Sequence, residues 1–299
     1  MKKSTWLALG MVSAAAGYAL FKNRQAHVAE QYKWIRSQYL ELSVLGCPVC
    51  HFELTCLTQS NGQILWCEVC QKEYPVVGGI PHFFRPGELS GWNKTFAFAY
   101  DWFSWGYRLF SAAAFALIGM SEEEGRREIL DHLNPGGGRV LEVSIGPGVN
   151  LPYLVRRSDV GDIYGMDISQ GQLNRCRAYI AHHDWNIHLQ LGNAEQLPYQ
   201  DNSFSGVFHI GGINFFNDKQ KAIQEMIRVA KPGTRVLICD ENERGAKAYE
   251  RLLPGFKHMA GDYRQTIAAP VDLIPAEMLD ISVFDVWKGW FYCISFTKP

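Results

Sequence analysis

The amino-acid sequence predicts an open α/β sheet over residues 135–299, preceded by a small cysteine module and an apolar N-terminal helix. Three observations predict it. From Arg139 onward, short apolar runs alternate with helical stretches, as in a sheet flanked by helices. Two C-x-x-C pairs lie between Cys47 and Cys70. Ser4 to Phe21 is a run of eighteen residues without a charge.

The chain has 299 residues, 47% of them hydrophobic and 20% charged, an ordinary globular balance with enough apolar residues for a sizeable core. Its net charge is −1, and residues 135–299 hold seventeen basic against eighteen acidic side chains. No domain has the basic excess of a nucleic-acid binder. Positive charge is local to residues 1–46, with six Lys/Arg against two Glu. There is no internal repeat and no low-complexity tract.

At the N-terminus, Lys2 and Lys3 precede the uncharged run and Lys22 and Arg24 follow it. Eighteen residues at ~1.5 Å each span roughly 27 Å, enough for a bilayer core. Three readings compete: a transmembrane anchor over 1–25, a cleaved signal peptide, and a peripheral or buried helix. The anchor is the expectation adopted, with the catalytic body facing the cytoplasm, because Lys22, Arg24, Lys33 and Arg36 follow the run. Residues 26–46 read as a polar linker helix.

Residues 47–86 form the cysteine module. Cys47, Cys50, Cys67 and Cys70 have the spacing C-x₂-C-x₁₆-C-x₂-C, that of a four-thiolate zinc site. A module of about forty residues has too little core to fold alone, and a bound metal supplies the missing free energy. A closed four-cysteine site leaves no open coordination position, so the expected Zn²⁺ is structural. The other four cysteines (Cys56, Cys176, Cys239, Cys293) are scattered, which is poor ground for a disulfide framework. Leu45–Phe84 resembles the zinc ribbons that activate tRNA and protein methyltransferases, and those fused to bacterial methyltransferases. The matching residues are Gly46-Cys-Pro-Val-Cys50, Cys67-Glu-Val-Cys70, Tyr74-Pro75 and Gly79-Ile-Pro81. The resemblance implies a scaffold, or a surface for a protein partner.

Residues 87–134 read as a helical cap, with nine aromatics between Trp92 and Phe110. Next, Arg139–Gly148 reads as a buried strand entering a glycine-rich turn, where Gly146 and Gly148 let a ligand approach the backbone. Asp167, nineteen residues beyond Gly148, ends a second strand. An acidic residue there accepts from ribose hydroxyls. Together these features point to an adenosine cofactor. Leu151 stands where the third glycine of the dinucleotide fingerprint G-x-G-x-x-G would fall, so the glycine pair alone leaves open which adenosine cofactor is bound.

Gly192-Asn-Ala-Glu-Gln-Leu-Pro-Tyr-Gln-Asp-Asn-Ser-Phe204 and Gln224–Gly233 resemble the class I S-adenosylmethionine (SAM) methyltransferases over about residues 90–299, nearest the ubiquinone and menaquinone C-methyltransferases. The resemblance implies a Rossmann-like methyltransferase sheet. It gives Glu142 the SAM amino group, Gly146 and Gly148 the methionine and ribose, Asp167 with Ile168 the ribose, and Asn193 and Ala194 the adenine. Three positions depart from the family: Ser144 for glycine, Asn193 for aspartate, and Ser205-Gly206 for the aspartate after Ser-Phe. Ser144 narrows the cofactor path.

For chemistry the candidates are Tyr100, matching a Tyr-Asp pair in the quinone methyltransferase lid, and His209 and Asn214 near the fourth strand. A base is needed only for a phenol or enol acceptor. An apolar anchor and an aromatic cap favour a hydrophobic, quinone- or phenol-type acceptor at the membrane. An rRNA or tRNA methyltransferase would need a basic stripe, whereas residues 47–86 hold only Lys72 and Arg85 against three Glu. A non-catalytic SAM-binding or zinc-ribbon adaptor is the third reading.

Overall fold

The computed structural model describes residues 41–60, 62–245, 247 and 267–299. The anchor expected over 1–25 and the linker as far as residue 40 lie outside them. No helix among the described residues is long and apolar enough to cross a membrane.

The module is a four-stranded antiparallel sheet, β1 (Thr55–Gln59), β2 (Gly62–Cys67), β3 (Lys72–Val77) and β4 (Ile80–Pro81) in sequential order. Its strands are short and largely exposed: no residue of β1 is fully buried, and in β3 only Tyr74 is. The cap consists of three helices, α1 (Gly91–Phe103), α2 (Tyr107–Leu117) and α3 (Glu122–Leu130). Ser121 caps α3, its side chain accepting from the Glu124 N–H, and three glutamates fill the first turn, where the helix dipole favours them.

The large sheet has seven strands: β5 (Val140–Val143), β6 (Ile163–Asp167), β7 (Ile187–Leu191), β8 (Gly206–Ile210), β9 (Arg235–Glu241), β10 (Leu279–Val286) and β11 (Phe291–Thr297). Their order is β7-β6-β5-β8-β9-β11-β10. The first five are parallel; β11 inserts antiparallel beside β9, and β10 pairs antiparallel with β11. Every residue of β5, β6 and β8 is buried, as expected of parallel strands covered on both faces. Helices α4 (Leu151–Leu154), α5 (Gln170–His183) and α6 (Lys219–Val229) follow β5, β6 and β8. Leu133, Val140, Leu154, Ile163, Leu173 and Phe208 share one core.

Two features differ from the sequence reading. Cys239 and Cys293 are not scattered in space. They face one another in the β9–β11 register, their Cα atoms 4.1 Å apart, and form a disulfide. The module also docks on the sheet beside it. The Gly46 N–H donates to the Pro198 carbonyl, the Gln200 N–H to that of Val44, and the Phe83 N–H to that of Leu191 at the end of β7.

Candidate functional site

In this strand order the chain reverses direction between β5 and β8, and a crevice opens there at the carboxyl ends of the strands. The sheet side of the cleft is Ser144, Gly146, Met166, Asp167, Ile168, Asn193 and Ala194. Facing it are Asn93, Phe96, Tyr100 and Tyr107 of the cap, with Gly211, Gly212, Phe215 and Phe216 after β8. Six of the eight expected cofactor-binding residues therefore line one cleft. Glu142 and Gly148 do not.

Asp167 is buried, and the backbone fixes both carboxylate oxygens. Oδ2 accepts from the Gly146 N–H at 2.7 Å and Oδ1 from the Ser169 N–H at 2.8 Å. Burial pushes its carboxyl up to about 6, against the pull of those two N–H groups. Gly146 has φ +57°, and a Cβ there would meet nothing within 4 Å, so its free face is open to a ligand. Ser144 has φ +64°, in the left-handed region that favours glycine. That strain gives a physical reason for the glycine of the family pattern, beyond the expected narrowing.

Gly148 needs a correction. A Cβ there would lie 2.7 Å from Leu151 Cδ1 and 2.9 Å from Cys176 Sγ, so its bareness serves helix–sheet packing rather than a ligand. Glu142 lies behind the cleft, buried at 2% exposure. Its Oε1 accepts from Asn150 Nδ2 at 2.6 Å, and Oε2 has no partner among the described residues. Burial pushes its carboxyl up to about 8, partly offset by Asn150 and Arg126. With its proton retained by burial, a carboxyl oxygen without a partner would ionise against a cationic ligand group.

Asn193 Oδ1 accepts from the Glu195 N–H at 3.0 Å and bends the loop that carries Ala194. The opposite wall is aromatic. Phe96 stacks on Phe215 with ring centroids 4.1 Å apart, and Tyr100 stands 6.0 Å from Phe96. Burial raises the Tyr107 phenol. The cap is latched to the cofactor side by Asp101, whose Oδ1 accepts from Ser169 Oγ at 2.5 Å and from the Gly171 N–H at 2.7 Å. Asn93 Nδ2 donates to Glu195 Oε1 at 2.8 Å.

The three chemistry candidates part company. Tyr100 lines the cleft. His209 is fully buried in β8; its Nδ1 bonds the Val143 carbonyl at 3.0 Å, and Nε2 has no partner among the described residues. Burial depresses its pKa and keeps the ring neutral. It lies beneath Gly212 rather than on the cleft surface. Asn214 is spent on the loop: Nδ2 donates to the Glu241 carbonyl, Oδ1 accepts from Lys219 Nζ, and its backbone N–H donates to Asp240 Oδ2. It does not line the cleft. Asn93 and Gln172 went unread in the sequence, whereas Phe96 and Tyr107 belong to the aromatic-rich cap and Phe215 to the loop after the fourth strand, both read as walls of an apolar pocket.

The sulfurs of Cys47, Cys50, Cys67 and Cys70 lie within 4.8 Å of one another. Cys50 Sγ and Cys67 Sγ are 3.6 Å apart, close to the ~3.8 Å edge of a tetrahedron with ~2.3 Å zinc–sulfur bonds. Burial disfavours the Cys47 thiolate, but hydrogen bonds from Tyr74 and from backbone N–H groups outweigh it and bring the thiol to about 7. The donor set fits one metal ion.

Known proteins agree with this geometry. Residues 141–238 match the family described as Methyltransferase domain. A demethylmenaquinone methyltransferase of Desulfitobacterium hafniense is 36% identical over 124 residues, which is 40% of this chain and 46% of that protein. A phosphatidylethanolamine N-methyltransferase of Cereibacter sphaeroides is 30% identical over 149 residues, 48% of this chain and 72% of that protein. The chain thus spans about half the length of the first relative and nearly three quarters of the second. The crystal structure of a protein from Methanococcus maripaludis superposes with a TM-score of 0.50 at 18% identity, covering 71% of this chain and 96% of that one. At that identity the likeness speaks for the fold. With this strand order, this cleft and these relatives, the chain belongs to the class I SAM-dependent methyltransferases.

Proposed function

We propose that the protein transfers the methyl group of SAM to a hydrophobic small-molecule or lipid-like acceptor, quinone- or phenol-type, close to a membrane. The observation that carries this reading is the two-sided cleft. One wall is polar and pinned by backbone; the other is built from Phe96, Tyr100, Tyr107, Phe215 and Phe216. Relatives that act on a menaquinone precursor and on a phospholipid support the acceptor class.

SAM, when bound, supplies an electrophilic methyl group. Glu142 Oε2 would take its ammonium, Asp167 its ribose hydroxyls, and Asn193 and Ala194 its adenine. The open face of Gly146 makes room for it. What remains for this chain is to orient the acceptor and exclude water. The aromatic wall does both, and Tyr100 is the polar group best placed to steady an acceptor hydroxyl. The four-cysteine cluster holds Zn²⁺ in a structural role, and the ribbon leaves a surface for a protein partner. The body faces the cytoplasm, tethered through residues 4–21.

Calorimetric titration of SAM into the zinc-loaded protein tests this reading, with NADH as control and Asp167→Ala beside the parent. The parent should bind at micromolar Kd, and Asp167→Ala should lose about 100-fold or more, as expected for a charged partner of two hydroxyls. Turnover on lipophilic phenols and quinones should follow. Absence of SAM binding by the folded protein would favour the adaptor reading, for which the strained Ser144 speaks.

A further inference from the structure

The cap helices carry aromatic side chains on two faces, although packing on the sheet needs only one. The inner face supplies Phe96, Tyr100 and Tyr107 to the cleft. The outer face holds Phe98, Trp102, Trp105 and Leu109, exposed by 74, 72, 67 and 76%. Their spacing of four, three and four is one helical face carried across the Ser104–Gly106 turn, where Ser104 and Gly106 keep right-handed helical angles. Ala112, Ala113 and Ala116 extend it along α2.

The face is also without free charge. From Thr95 to Ile118 the only charged residues are Asp101 and Arg108. Asp101 is bonded to Ser169 and Gly171. Arg108 lies over the Tyr179 ring at 3.8 Å and donates to the Pro147 carbonyl. Both charges are turned toward the sheet domain. A contiguous apolar patch of this kind on a soluble surface marks an interaction site.

We propose that this outer face of α1 and α2 docks on the surface of a lipid bilayer, with Trp102 and Trp105 at the headgroup boundary, so that the cleft behind the same helices receives its acceptor from the membrane. What selects a bilayer over a protein is the chain's own uncharged run, Ser4–Phe21, taken above as the tether; nineteen residues separate it from Glu41, the first described residue. Tryptophan suits the membrane–water boundary. Nineteen residues span at most about 65 Å. The proposal takes its acceptor from the function proposed above; the docking itself does not depend on turnover.

The test uses the full chain reconstituted in phosphatidylcholine–phosphatidylglycerol vesicles, with and without brominated acyl chains. Tryptophan quenching is compared between the parent and Trp102→Tyr/Trp105→Tyr, a change that keeps the rings and the fold. The double variant should lose about half of the brominated-lipid quenching if both indoles sit at the boundary. Equal quenching in the two proteins would overturn the proposal. A second pair, Trp102→Glu/Leu109→Glu, should keep parental SAM affinity and parental turnover on a water-soluble acceptor, yet lose about tenfold on a vesicle-embedded one. If that pair instead converts a dimer to a monomer in sedimentation, with vesicle turnover unchanged, the occupant is a second copy and the proposal fails. Failure of the proposed function would look different: no SAM binding, with the quenching difference intact.

Discussion

The two sheets of this molecule are held by different means. In the ribbon, β1 has no fully buried residue and β3 has one. What closes that sheet is four sulfurs within 4.8 Å of each other. In the large sheet, β5, β6 and β8 are buried at every position. The comparison teaches where a fold can carry cost. The ribbon has little buried surplus and brings four thiols together instead. The large sheet tolerates, along its functional edge, a strained serine, a buried carboxylate with an unpartnered oxygen and a second carboxylate raised by burial.

Metal removal breaks the comparison most severely. Structural zinc contributes on the order of 10 kcal/mol in small modules. Chelation, or Cys67→Ser, should abolish hydrogen-exchange protection across residues 44–83 while β5, β6 and β8 stay protected. Equal loss in both sheets would mean that they are one cooperative unit.

Loosening the cap tests whether the cleft depends on the large sheet alone. Asp101→Ala removes two hydrogen bonds to an exposed carboxylate, where solvent screening leaves little net stability. SAM affinity should fall about tenfold with little change in the melting temperature. An unchanged Kd would make the latch dispensable.

The next effect depends on pH. Asp167 stands near 6 in the folded protein against an ordinary 3.8. The folded state therefore holds the proton more tightly than the unfolded one, so this group's contribution to stability rises as pH falls from about 6 toward 3.8. Ribose hydroxyls donate to the ionised form, so SAM affinity should move the other way, full above about 6 and falling below it by up to tenfold per unit. Calorimetry and thermal melts between pH 5 and 8 would show the opposed slopes; parallel slopes would remove Asp167 from the ribose.

The smallest expected effect sharpens the comparison. Ser144→Gly should relieve about 1 kcal/mol of left-handed strain and raise the melting temperature by a few degrees, with SAM affinity equal or better. A loss of affinity would show that the serine hydroxyl makes a contact of its own.

Legibility followed the range of the interactions. The four cysteines, Gly146 and Asp167 could be read because their chemistry is written in short spacings. The polar contacts that hold the cleft wall could not. Asn93 finds Glu195 across 102 positions and Asp101 finds Gly171 across 70, and no local pattern announces either. Gly148 was misread because a missing Cβ looks the same in sequence whether it admits a ligand or a leucine. Asn214 could not be assigned from the sequence, because an amide on a loop near a ligand can equally hold the loop. The ribbon's seat on β7 is likewise a matter of tertiary packing.

That seat has a consequence for solubility. A parallel sheet ends in a row of unpaired N–H and C=O groups, a template on which another chain can grow. At one border of this sheet, β10 is blunted by an irregular register at Leu279/Ser282 and by Asp280 and Asp285. At the other, β7 has no such device of its own, and His82 and Phe83 of the ribbon close its end at Leu191. The ribbon is thus a stopper at that end of the sheet, and loss of its fold would uncover a strand edge on which a second chain can pair.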